Sequence, residues 1–312
     1  MRTSTVSAAR YGALLARARN RDYPASLQRV DAGLDALLGL TARTSTTTSS
    51  TRAWYDVPAR RLFLQRRPAA PRRAVLNEVV RALVDQNFDL RRLDGLRVRD
   101  HDRWLAARGV VDGIAALASG LRTTKADAGT LAGRTLAAQL RSIGGNAAVA
   151  SALRTFPQTT EQLLHIDKFL EREPALPVHL PQRAGPATLV SFETFGELDV
   201  RDLLQTFGVQ SAATAAAGWG GGRVALYNAG DGRVAALLLR WDSPADALEW
   251  QAAAAQYVAT AFPGATPGTC PPLDRCWRGS ADVAVGVFGT TSVLASGPNA
   301  PALAAALLTQ GV

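Results

Sequence analysis

A change of pattern near residue 181 limits the fold of this chain more than any other feature of its sequence. Before it, apolar residues recur at the three- and four-residue spacing of helices, in 7–40, about 100–120 and 126–154, with "GGN" interrupting the last. After it, short apolar runs alternate around turns, as in "GGRVALYNAGDGRVAALLLRW". The order of these patterns predicts an α+β fold, with a mainly helical region followed by an antiparallel β-sheet region.

The second region also contains one helical segment. "SPADALEWQAAAAQYVATAF" has Ser243 as an N-cap candidate and Pro244 in its first turn, so it predicts a helix that covers the sheet. The chain is therefore divided into 1–180 and 181–312, two regions that are either separate or packed as one unit. Within the first region, 41–51 lacks periodicity and is predicted to be a flexible exposed loop, and 52–65 alternates around a turn, as a short β-hairpin does.

Charge is unevenly distributed, but it does not favour nucleic-acid binding. The net charge is +9, and residues 1–110 hold 21 Arg against 10 Asp and Glu. Only two lysines accompany the many arginines, which is typical of a codon bias toward Arg, and aromatic residues are not interleaved with the basic ones. We expect no nucleic-acid partner, and no apolar run approaches the ~18 residues of a membrane span.

The two cysteines, Cys270 and Cys276 in "CPPLDRC", are candidates for a disulfide. No His or further Cys lies within forty residues of the pair, which excludes a zinc site built around them. A disulfide favours an oxidising compartment, although two cysteines also occur reduced in the cytoplasm. The first twenty residues contain no export signal, so an extracytoplasmic location is expected only if such a signal is missing from this chain.

The segment "NEVVRALVDQNFDL" (77–90) places Asn77, Glu78 and Arg81 on a helix at the spacing of a zinc-binding H-E-x-x-H motif. In that motif the two histidines, one turn apart, bind one ion, and the glutamate is the general base. Neutral Asn is a poor zinc ligand and Arg is a cation that repels the ion. The spacing matches a zinc peptidase, but the ligands do not.

Several segments together resemble a bacterial zinc metallopeptidase-like family of the gluzincin type. Its pattern H-E-L-x-H-A-L-Q-D-Q-H-F-D-L corresponds to 77–90, and its A-L-x-E-G-D-A, which supplies the third zinc ligand, is similar to "ARGVVDGIA" with Asp112 at the ligand position. "RAWYDVPARRLFL", "FPQTTEQLLHIDKFL", "GWGGGRVALY" and "RWDSPADALEW" resemble further family segments in the same order. The resemblance covers most of 23–300 and implies a metallopeptidase-like fold.

The sequence differs from the family pattern at the positions that bind zinc in that family. The former zinc-ligand positions are Asn77, Arg81 and Asp112, and only the base position, Glu78, is kept. A catalytic zinc needs three protein ligands and an open water position, so we expect no zinc cofactor. The predicted function is that of a catalytically inactive homologue, a pseudopeptidase that binds a peptide or protein partner. Arg81 is expected to replace the ion as a cation between Glu78 and Asp112.

Two alternatives remain at the level of sequence. One is a residual metal-dependent hydrolase that uses Glu78, Asp112 and His165, the last of which stands where it could help to stabilise an oxyanion. The other is a structural or interaction protein of the cell envelope. His101 is expected at a loop or helix start and His179 in a linker, while "GWGGGR" lacks the phosphate-loop pattern and predicts a tight turn into the sheet.

Overall fold

A computed structural model describes residues 1–40, 52–121, 127–230 and 232–310. The predicted loop 41–51 lies outside these ranges. The chain divides into two compact units, the first made of 1–28 and 44–173 and the second of 29–43 and 174–312. The fold is α+β, as predicted, with helices concentrated in the first unit and an antiparallel sheet in the second.

The division into units differs from the sequence-based one at 180. Residues 29–43 belong to the second unit because Leu34, Leu38 and Leu40 are buried in its hydrophobic core. The predicted helical stretch 7–40 is two helices, α1 (Ala8–Asp22) and α2 (Ala25–Leu37). The two helices are separated at Tyr23, which precedes Pro24. The ring of a proline disfavours helical dihedrals at the residue before it.

The first unit contains a small three-stranded sheet. β1 (Arg2–Val6) pairs in parallel with β3 (Arg61–Gln65), and β3 pairs antiparallel with β2 (Ala53–Asp56). The predicted hairpin is β2–β3. β1 was not predicted, although "RTSTV" carries β-branched residues at alternate positions, the pattern of a half-buried strand.

The rest of the first unit is helical. Its elements are α3 (Arg72–Phe88), a 3-10 helix (Leu90–Leu93), α4 (Leu96–Arg99), α5 (His101–Ser119), α6 (Ala128–Arg154), α7 (Thr160–Leu164) and α8 (Ile166–Glu171). The helices predicted at 100–120 and 126–154 are α5 and α6. α6 has non-helical dihedrals at Gly144 and Gly145, where the sequence indicated an interruption.

The second unit is built on an eight-stranded sheet whose described strands run in the order β4-β5-β6-β7-β11-β10-β9-β8. Its elements are β4 (Arg183–Ala184), β5 (Ala187–Thr194), α9 (Glu197–Thr206), α10 (Ala212–Ala216), β6 (Trp219–Asn228), β7 (Arg233–Trp241), α11 (Pro244–Ala261), β8 (Thr266–Gly268), β9 (Arg275–Arg278), β10 (Val283–Phe288), β11 (Thr291–Ser296) and α12 (Ala300–Gln310). All of its strand pairs are antiparallel.

Helices cover both faces of this sheet. Leu237 and Leu239 on β7 point to the core that includes α11, whereas Leu238 between them points to the core that includes α12. α11 is the predicted covering helix, and the Ser243 side chain caps it by accepting from the Asp246 backbone N–H. α12 was not predicted. Burial of both faces explains why the sequence of β7 is a nearly continuous run of apolar residues.

Two further findings concern the cysteines and the length of the helices. Cys270 and Cys276 are joined in a disulfide that connects the segment after β8 to β9. Of the helices that the structure describes, none combines the length and apolar character that crossing a bilayer requires.

Candidate functional site

The candidate site lies on the buried side of α3, which packs against β2 and α5. Asn77, Glu78 and Asp85 are buried on this side, although all three are polar. Leu76 and Leu83 are 43% and 52% exposed on the opposite side. The helix therefore directs these three polar side chains inward and two leucines outward, which is unusual for an amphipathic surface helix.

Glycines bring α5 and α6 close together and so set the position of the third site residue, Asp112. A Cβ at Gly133 on α6 would overlap the carbonyl group of Gly109 on α5, and a Cβ at Gly113 would overlap the backbone of α6. Only glycine permits backbones to approach this closely. Asp112 immediately precedes one of these contacts, on the α5 surface that faces Arg81.

Arg81 links the two acids of the site. Its Nη1 lies 2.5 Å from Asp112 Oδ1, a charge-assisted hydrogen bond, and its Nε lies 3.8 Å from Glu78 Oε2, an ion-pair distance. Arg108 Nε donates to the other oxygen of Asp112 at 3.1 Å. We call these four residues, Glu78, Arg81, Arg108 and Asp112, the arginine–acid cluster. The predicted cation between Glu78 and Asp112 is present, with Arg108 as a partner that the sequence did not reveal.

Electrostatics within the cluster follow from burial and pairing. Burial raises the pKa of the Glu78 carboxyl, and this effect exceeds the opposing effects of the Arg81 charge and the hydrogen bond from the Tyr55 backbone N–H. Burial lowers the pKa of Arg81, but the charges of Asp112, Glu78 and Asp127 outweigh it, so the pKa lies above its usual value. Arg81 is therefore a permanent cation between the two acids.

Asn77 lies on the same side of α3 but outside the arginine–acid cluster. Its Nδ2 donates to Ser119 Oγ at 3.5 Å. Ser119 is two helical turns beyond Asp112 on α5, which corresponds to roughly 10 Å along the axis. Of the three positions that the sequence predicted to be former zinc ligands, the structure therefore brings Arg81 and Asp112 into contact and leaves Asn77 with a different neighbour.

A second buried acid, Asp85, holds the same helix in place. One of its oxygens accepts from the Tyr55 hydroxyl at 2.7 Å and the other from the Leu90 backbone N–H at 2.9 Å. Burial raises the pKa of Tyr55, and the bond to Asp85 adds to this. In the sequence, Asp85 stands two helical turns after Asn77. This position indicates that the acid has a buried partner, but it does not identify the partner. Asp85 ties β2 and the 3-10 helix to α3.

The three histidines lie elsewhere on the chain. His165 is half-buried at the junction of α7 and α8, where its backbone N–H donates to the Glu161 carbonyl. His101 begins α5, as predicted, with its ring 5.8 Å from that of Trp104. His179 is exposed in the segment before β4. The contacts that define the arginine–acid cluster involve none of these three side chains.

The glycine-rich segment 218–223 was predicted to be a tight turn, and this prediction is wrong for most of it. β6 begins at Trp219, so Gly220, Gly221 and Gly222 lie within a strand. A Cβ at Gly222 would overlap the Phe195 carbonyl, to which Trp219 Nε1 donates at 3.0 Å. Close backbone approach, and not a turn, explains these glycines.

The match found by comparison with known proteins lies within the second unit. Residues 187–307 match the model of a family described as a domain of unknown function, DUF8575. No curated protein and no solved structure matches the chain. The family match covers most of the strands of the large sheet and leaves the arginine–acid cluster outside its limits.

Proposed function

We propose that this chain is a catalytically inactive homologue of the zinc metallopeptidases and that it acts by binding a peptide or protein instead of cleaving it. One observation carries the proposal: the guanidinium of Arg81 occupies the space between Glu78 and Asp112, bonded to one and paired with the other. The resemblance of 77–90 and 107–115 to the peptidase motifs supports the interpretation of these positions as a former zinc site.

Charge balance supports this assignment. Two buried carboxylates without a cation are costly, since a buried unpaired charge destabilises a fold by several kcal/mol. Arg81 and Arg108 supply two positive charges to Glu78 and Asp112, which matches the charge of a zinc ion. The cluster is neutral without metal, so the fold has no electrostatic need for zinc.

The residues present do not fit a catalytic zinc. Such a site needs three donor ligands around an open position, and here one ligand position is a cation, one is an amide directed at Ser119, and the third accepts from two arginines. Without zinc, the pKa of water is not lowered toward about 7, and Glu78 has no water that it can deprotonate. A hydrolase that combines Glu78, Asp112 and His165 is less well supported, because both acids are already paired.

We expect protein purified without a metal-affinity tag to contain far less than one zinc per chain and to leave an unstructured protein substrate uncut when zinc is added. Elemental analysis and a casein digestion assay measure the two properties, with Glu78→Gln as the control for contaminating peptidase. One zinc bound per chain, together with cleavage that is lost in Glu78→Gln, would show an active enzyme and overturn the proposal.

A further inference from the structure

We propose that the outer surface of α3 and the loop before it bind an anionic membrane surface. We call this the α3 surface and define it by Arg66, Arg67, Arg72, Arg73, Leu76 and Leu83. Its leucines lie opposite the buried side of α3, and none of its residues contributes to the arginine–acid cluster, so the two proposals stand or fail separately.

The apolar part of the α3 surface is a pair of protruding leucines. Leu76 and Leu83 are seven residues apart, which places them two turns apart on one side of a helix. Both side chains are largely exposed, and Val79 and Val80 between them are only half-buried. Exposed leucines in such a stripe leave apolar area in water that insertion into a lipid layer would remove.

The basic part lies at the N-terminal end of the same stripe. Arg66 and Arg67 follow β3, and Arg72 and Arg73 are the first two residues of α3. All four side chains are exposed, and none forms an ion pair with an acid among the residues that the structure describes. Between Asp56 and Glu78 the sequence contains six arginines and no acid, so no neighbour along the chain neutralises them.

The start of α3 adds to this positive potential. Helix N-termini commonly carry an acidic residue or a capping side chain, and both lower the local positive potential. α3 has neither: Pro71 provides no side-chain cap, and the first turn holds no acid. Instead, two arginines are added to the positive end of the helix dipole, an arrangement that favours phosphate groups nearby.

The combination of leucines and arginines favours a membrane over other partners. Single-stranded nucleic acid would be expected to stack on aromatic side chains, of which the α3 surface has none, and a duplex offers no apolar layer to the two leucines. A second copy of the chain would bring two sets of four arginines together, which is repulsive. An acidic helix would need a groove, whereas these leucines protrude. Anionic lipids offer phosphate to the arginines and an acyl layer that accepts protruding leucines.

Vesicle sedimentation of the full chain tests this proposal. We expect binding to vesicles of phosphatidylcholine with about one-third phosphatidylglycerol, weak binding to pure phosphatidylcholine, and release at high salt. Replacing Arg66, Arg67, Arg72 and Arg73 with Gln should lower the partition coefficient on the order of a hundredfold. Leu76→Ser with Leu83→Ser should lower it roughly tenfold.

A matched variant separates the surface from net charge. Arg29, Arg183, Arg233 and Arg275 are exposed residues of the second unit, and changing them to Gln removes the same charge but should leave most of the binding. Equal loss in both quadruple variants, or no preference for anionic vesicles, would overturn the proposal. So would binding of duplex DNA in place of vesicles, or concentration-dependent dimerisation that is lost in the leucine variant.

Discussion

Arg81→Ala is expected to lower the free energy of unfolding of the first unit by roughly 3 kcal/mol. The substitution removes the hydrogen bond to Asp112 and the only charge within ion-pair distance of Glu78 in the described structure. Glu78 is 8% exposed, so water compensates little for the lost cation. Hydrogen exchange of the α3 and α5 amides at increasing urea concentration measures the change.

Arg108→Ala is the matched control. Its side chain is 40% exposed, and Asp112 keeps Arg81 when it is removed, so we expect a loss of less than about 1 kcal/mol. Equal losses in the two variants would mean that Arg81 has no special role in neutralising the site. A loss well below 1 kcal/mol for Arg81→Ala would contradict the account as well.

The effect of Arg81→Ala should also depend on pH. Without Arg81, the pKa of folded Glu78 rises further above its unfolded value of about 4.5, because the largest charge effect that opposes burial is lost. An acid whose pKa is raised in the folded state costs no stability below about pH 4.5, where it is protonated in both states. As the pH rises above that value, the same acid lowers the free energy of unfolding. The difference between wild type and variant is therefore expected to shrink as the pH falls toward 4.5.

Gly133→Ala is expected to destabilise the first unit by about 3 kcal/mol or more. A Cβ there would overlap the Gly109 carbonyl and approach the Val110 nitrogen, and both are backbone atoms of α5 that cannot rotate away. α5 and α6 would have to separate, and Asp112 would move away from Arg81. Hydrogen exchange of the α5 amides measures the loss of protection.

Gly12→Ala provides the comparison. Gly12 lies in α1, and a Cβ there meets no atom within 4 Å. Alanine is favoured over glycine in a helix interior by about 1 kcal/mol, so this variant should be unchanged or slightly more stable. If Gly133→Ala is as well tolerated as Gly12→Ala, the close packing of α5 and α6 is not required for the site.

The α+β order could be predicted because helical and strand periodicities occupy different parts of the sequence. The small sheet was only half predicted: the β2–β3 hairpin has local turn chemistry, whereas β1 gains its partner from residues almost sixty positions away. Likewise, α12 is apolar on nearly all sides, so its sequence lacks an amphipathic pattern, whereas α11 was recognised by Ser243 and Pro244 at its start.

The site was predictable to the extent that charges must be balanced. Arg81 with Glu78 and Asp112 follows from the rule that buried acids need a cation, and the spacing of the motif placed all three on facing helices. Arg108 as second partner and Ser119 as the neighbour of Asn77 depend on how α3 and α5 are aligned. That alignment depends on the packing of two helices that the local periodicity of each one does not encode.

Introducing a zinc site at these positions tests the central claim most directly. The triple variant Asn77→His, Arg81→His and Asp112→Glu places the ligand set of the resembling peptidase family on this scaffold. Calorimetric titration with zinc is expected to show one ion bound tightly per chain, while the wild type shows no binding at the same concentrations. A triple variant that folds but binds zinc no better than the wild type would contradict descent of this site from a zinc peptidase.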